Sequence, residues 1–109
     1  MNHNLEHKLD VRSGQSERLQ QIAKEFNPDV ALCENTHYTA VFVNSEPVGV
    51  ATYHIFRHQA LLDSYELTPN AHSNSTLRQV LGYGVKEYLT HHLRIKPDAE
   101  FLKNLGIQS

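Results

Sequence analysis

Two acids and a polar loop carry the residues best suited to chemistry. Asp63 and Glu66 lie on the stretch Ala60-Leu-Leu-Asp-Ser-Tyr-Glu-Leu67, and the chain then passes through Ser73, Asn74 and Ser75. A carboxylate on a strand is either a general base or an ordinary surface charge. Ser and Asn ahead of a helix have two uses as well. Their side-chain oxygens cap the unpaired first N–H groups, or those N–H groups and the helix dipole hold an anion. The residue types alone leave both pairs of readings open.

The other reactive side chains form no pattern. Of the eight histidines, His54 and His58 would sit about 13 Å apart on extended chain, too far to share one ion. His91 and His92 are neighbours at a helix end, where cations suit the dipole, and His3 and His7 fall in the polar N-terminus. No acid or thiol joins them at a diagnostic spacing, so no metal site is expected. Cys33, the single cysteine, is either a nucleophile or, as we expect, a small buried hydrophobe. Gln79-Val-Leu-Gly82-Tyr-Gly84 matches a phosphate-loop pattern, Gln/Arg-x-x-Gly-x-Gly. It falls inside a predicted helix, however, and its glycines read as close packing against the sheet.

These residues need elements to position them. Ala60–Leu67 is predicted as a strand with Leu61, Tyr65 and Leu67 on one face and Ser64 and Glu66 on the other; Asp63 breaks the alternation. The loop 68–75 follows, and then a helix over 76–92 with an apolar stripe of Leu77, Val80, Leu81, Gly84, Val85 and Tyr88. Upstream, Lys8–Arg12 suggests a short strand. Ser13 or Ser16 caps a helix to Phe26 that Asn27-Pro28 ends, and 29–37 reads as loop. Tyr38–Val43, the turn 44–47 and Val48–Phe56 form a hairpin, which Arg57-His-Gln59 extends into a three-strand meander. Downstream, Leu93–Ile95 is a residual strand or a linker. Pro97 starts a last helix with Asp98 in its first turn, Phe101, Leu102 and Leu105 on its face and Gly106 as its stop. The order implies an α+β domain with a mostly antiparallel sheet.

Composition narrows the class. The 109 residues carry a formal charge of −2 and make one domain, with residues 1–7 expected to be loose. No basic run points to nucleic acid. No apolar stretch reaches the ~18 residues of a membrane span, and the N-terminus lacks a signal-peptide core. With one cysteine, a cytoplasmic protein is expected.

Six segments, which make four local matches in order, resemble the GNAT superfamily of N-acetyltransferases. Leu9-Asp-Val-Arg12 and Ser16–Ile22 look like its opening strand and helix. Ala40–Val43 and Pro47–Ala51 look like its second and third strands. Leu61-Leu-Asp-Ser-Tyr-Glu-Leu-Thr-Pro69 looks like its fourth strand, and Ala99–Ile107 like its late helix. The resemblance implies a GNAT-like fold, C-terminally truncated, that binds acetyl-CoA and acylates a small-molecule amine or a protein. It implies that Tyr65 and Leu67 line the pantetheine arm, that His72, Ser73, Asn74, Ser75, Thr76 and Leu77 hold the pyrophosphate, and that Glu66 or Asp63 is the base. His72 stands where the family has arginine, Ser75 and Leu77 where it has glycines, and Leu102 where it often has a tyrosine. Short acetyltransferase-like maturation factors of aspartate decarboxylase also lack that tyrosine. A CoA-binding regulator of a protein partner is therefore the alternative. Lacking a full fifth strand, the Ala60–Leu67 edge is expected to pair with a second copy or a partner.

Overall fold

Two tight turns organise the sheet. Asn44 and Ser45 have φ of 52° and 72°, and Arg57 and His58 have φ of 53° and 63°, which is the left-handed pair that a two-residue hairpin loop requires. In this computed structural model, which describes residues 8–107, these turns join β2 (Thr36–Val43), β3 (Glu46–Phe56) and β4 (Gln59–Leu67). β1 (Leu9–Gly14) pairs with β2, and the order is β1-β2-β3-β4 with every neighbour antiparallel. The meander is as expected, with longer strands. The turn is only Asn44-Ser45. Pro47 sits within β3, beside a register shift opposite Val41/Phe42, where its missing N–H is tolerated. The strand β2 also takes Thr36 and His37 from the predicted loop. The expectation for residues 1–7 lies outside the described residues.

A second register shift corrects the assignment of faces on β4. Tyr53 pairs with Leu62 and Thr52 with Ser64, so Asp63 is the extra residue of a β-bulge. Before the bulge Ala60 and Leu62 face the main core, and after it Tyr65 and Leu67 do. Leu61, expected beside Tyr65, is 38% exposed.

Each face of the sheet has its own cover. α1 (Glu17–Phe26) is capped by Ser16, whose Oγ accepts from the Leu19 N–H at 3.2 Å. It packs Leu19, Ile22 and Ala23 on Tyr38, Ala40, Phe42 and Val50. The opposite face holds Val41, Ala51 and Tyr53. It is covered by α3 (Ser75–Glu87) through Leu81 and Val85, and by α4 (Ala99–Asn104) through Phe101 and Leu102. Leu77 and Val80 of the expected stripe are only half-buried. The glycines of α3 do different things. A Cβ on Gly84 would stand 2.7 Å from Val11 Cγ1, so here helix and sheet touch closely. Gly82 instead admits the Leu105 carbonyl and Ile107.

The predicted loop 68–75 contains a helical turn, α2 (Pro69–His72). The helix predicted to reach His92 ends as α-helix at Glu87 and continues as a π turn, Tyr88–His92, where the Leu93 N–H donates to the Tyr88 carbonyl at 3.1 Å. Leu93–Ile95 forms no strand, because the Ile95 N–H folds back to the Leu89 carbonyl at 2.8 Å. α4 is capped by Asp98, one residue before it, rather than carrying that residue in its first turn. It ends at Gly106 (φ 77°). There the Ile107 and Gly106 N–H groups donate to the carbonyls of Leu102 and Lys103, a Schellman closure.

Candidate functional site

The polar groups around the start of α3 are unevenly engaged. The amides of His72, Ser73 and Asn74 donate to carbonyls of Thr68, Pro69 and Ala71, and the Leu77 amide donates to Asn74 Oδ1 at 3.2 Å. The Ser73 hydroxyl is turned onto the Pro69 and Asn70 carbonyls. Asn74 is therefore the cap. Ser75 and Thr76 are left as the two amides with no acceptor among the described residues.

Beside them lies a cleft of about 340 Å³ between the end of β4, the first turns of α3 and the end of α4. Tyr65, Leu67, His72 and Ser75 line it, as do Arg78 and Lys103. Neither cation makes an ion pair among the described residues. The Tyr65 hydroxyl donates to the carbonyls of Arg78 at 2.8 Å and Leu105 at 3.2 Å, tying strand to both helices. Burial pushes its phenol up, partly opposed by the Arg78 guanidinium. Four of the eight residues expected at the cofactor thus share this cleft. Asn74, Thr76 and Leu77 line a neighbouring groove of about 520 Å³ with Leu9 and Val48, and Ser73 lines neither. Two free cations next to two free amides can hold a phosphate or pyrophosphate.

Sequence reasoning missed Arg78 and Lys103. Arg78 is one helical turn past Ser75, a spacing that could have been noticed. Lys103 comes from α4, and only the tertiary fold brings it there.

The two acids are on the other side of the sheet. Glu66 pairs with Val50, which packs under α1, and its Oε2 accepts from the Ser64 hydroxyl at 3.4 Å. Asp63 accepts from His54 Nδ1, with 2.9 Å to each carboxylate oxygen. His54 is a further residue the spacing argument passed over. Across the two-residue turn it pairs with Leu61, which makes the bulged Asp63 its diagonal neighbour.

Other histidines serve the fold. His37 Nδ1 meets the Tyr88 hydroxyl at 2.9 Å, and the His92 ring stacks on Tyr88 at 5.3 Å. Burial lowers the His37 pKa from its ordinary value. Ser13, Thr39 and Tyr53 run a hydroxyl chain with two 2.7 Å steps beneath them. Among the described residues no three His, Cys, Asp or Glu side chains come together around one point; His3 and His7 lie outside those residues. Cys33 is exposed rather than buried, with its Sγ 3.2 Å from Thr36 Oγ1. No described helix is long and apolar enough to cross a membrane.

An antiparallel meander with one helix under it, and with α3 and α4 over it, defines a GNAT fold. The chain is similar to a GCN5-related N-acetyltransferase from Kribbella flavida, with a TM-score of 0.56 and 10% identity, over 73% of this chain but only 35% of that one. It is also similar to the aminoglycoside N-acetyltransferase AAC(6')-Iy in complex with CoA, with a TM-score of 0.60 and 12% identity, over 99% of this chain and 93% of that one. At such identities the fold is what is shared. No family profile and no curated protein sequence matches the chain.

Proposed function

We propose that this protein binds acetyl-CoA and transfers its acetyl group to an amine. The carrying observation is the cleft at the start of α3, where Arg78 and Lys103 stand without ion partners beside Ser75, whose amide is free and is followed in the chain by the free amide of Thr76. The pyrophosphate sits there, with His72 alongside. The pantetheine arm runs past Leu67 and Tyr65 along the outer edge of β4, which has no strand beyond it among the described residues. The relative crystallised with CoA supports this reading. The acids Glu66 and Asp63 face the acceptor, a small-molecule amine or a protein, from the α1 side of the sheet. A cytoplasmic setting goes with this chemistry.

A second reading is favoured by one observation. Leu102, at the position where a proton donor to the thiolate is expected, is 8% exposed within the apolar core. On that reading the protein is a CoA-binding regulator of a protein partner. In either case the Ala60–Leu62 part of the Ala60–Leu67 edge, across the bulge from Tyr65 and Leu67, is left open by the arm and is proposed to pair with a second copy. Sedimentation velocity is expected to show a dimer, and a monomer at ~100 μM would remove that part.

Calorimetric titration with acetyl-CoA and with CoA tests the cofactor. Micromolar binding is the expected result, and no heat at millimolar ligand would overturn both readings.

A further inference from the structure

Asp63 and Glu66 are not equivalent acids. Glu66 has only a long contact from the Ser64 hydroxyl, whereas Asp63 holds an imidazole with both of its oxygens. An ionised carboxylate only accepts, so His54 Nδ1 carries the proton in that contact. In the neutral ring the lone pair then falls on Nε2, which has no partner among the described residues. An imidazole fixed through one nitrogen and free at the other is the arrangement of a positioned general base.

The location agrees with the chemistry. His54 and Asp63 side chains are 31% and 29% exposed, so the ring is held yet open to a reactant. From Leu67, in the cleft, to Asp63 is four residues of strand, about 13 Å. That stretch lies along the proposed course of the pantetheine arm, which would bring the thioester from the cleft towards the bulge. The exposed Leu61 beside His54 shows that α1 does not cover this end of the face.

We propose that His54 is the base that removes the acceptor amine's proton and that Asp63 is its positioning residue. This inference rests on the acetyltransferase reading. The amine lone pair attacks the thioester carbonyl carbon and forms the C–N bond, while Nε2 takes the proton that the nitrogen must lose. The C–S bond breaks and CoA leaves as thiolate, which takes a proton from water. The imidazolium returns its own proton to the solvent that reaches the ring.

The test follows thiol release from acetyl-CoA by the full chain with spermidine, tyramine and lysine methyl ester as acceptors. Calorimetry gives acetyl-CoA affinity on the same proteins. His54→Gln is expected to lower kcat about 100-fold or more with acetyl-CoA affinity and melting temperature unchanged. Asp63→Asn should give a smaller loss, also in kcat. Added imidazole should restore part of the rate to His54→Gly, which a merely structural histidine would not allow. Undiminished turnover in His54→Gln would overturn the assignment and leave the acetyltransferase reading intact. So would a loss confined to acetyl-CoA affinity. A wild-type protein that binds acetyl-CoA and acylates none of the three amines overturns the base together with the enzyme reading, in favour of the regulator. Absence of binding overturns the cofactor itself.

Discussion

The two ends of the α3 rod are both rich in polar and aromatic side chains, and they treat them in opposite ways. At the Tyr88 end every notable group has found a neighbour. His37 meets Tyr88, His92 stacks on it, and Ser13, Thr39 and Tyr53 bond in series. At the Ser75 end the cap is satisfied, yet the Ser75 amide, a guanidinium and an ammonium remain unpaired around a cleft, with the Thr76 amide unpaired next to them. The histidine-rich end attracts attention in the sequence, but its groups stabilise one another. Free donors and cations lining one concavity are the better indicator of a ligand, because together they can converge on a single bound group.

The contrast can be broken most forcefully at the packing that anchors α3 to the sheet. Gly84→Leu is expected to cost ~1–3 kcal/mol by overpacking Val11 and Thr39, read as a lower melting temperature. Gly84→Ala is the sharper version. Helix propensity alone would stabilise it by ~1 kcal/mol, but the 2.7 Å approach to Val11 predicts a loss. A gain would mean that the β1 side of the sheet yields freely.

Next in size is the cation pair. Replacing Arg78 and Lys103 together with alanine should weaken acetyl-CoA binding about tenfold, or ~1.4 kcal/mol, with melting unchanged. Alanine at His91 and His92 should leave affinity where it was. Equal effects at both ends would erase the distinction. His72→Arg should tighten binding about threefold through a charge-assisted contact, and unchanged affinity would place the phosphate away from α2.

The smallest effect belongs to His37. Burial lowers its folded pKa below the unfolded 6.5. Above pH 6.5 both states are neutral and nothing is lost. As pH falls through 6.5 towards the folded value, the unfolded chain takes a proton that the folded one resists, so stability declines. The melting temperature of wild type should therefore drop more between pH 7 and pH 5 than that of His37→Gln. Parallel slopes would show that the ring is not sheltered.

Much of the frame was legible because it depends on local rules. The Ser16 cap, the Asn27-Pro28 stop, the alternating strands and the Gly106 closure all act within a few residues of themselves. What escaped is less local. Lys103 reaches the cleft only after α4 docks on α3, and Gly82 and Gly84 have different partners that no spacing reveals. The site was half visible. Tyr65, Leu67, His72 and Ser75 line the cleft, but the proposed amide cradle narrows to Ser75 and Thr76 because α2 and the Asn74 cap engage the others. The His54–Asp63 contact was hidden because a linear separation of nine residues says nothing until the turn folds it into a diagonal pair.

The bulge at Asp63 makes this chain unusually sensitive to counting. Side chains on a strand alternate, so one added residue acts as a parity switch: even numbers point to the main core before it and odd numbers after it. Removing that single residue would leave composition and hydropathy almost untouched. It would also leave Tyr65 and Leu67 facing the main core, because Leu62 and Ser64 already pair with the adjacent Tyr53 and Thr52; what would go is the carboxylate that holds His54. A one-residue gap at this point of β4 is therefore a small event for the sheet and a large one for the His54 contact. A homologous sequence that shares the fold without the bulge should be aligned with its one-residue gap at Asp63.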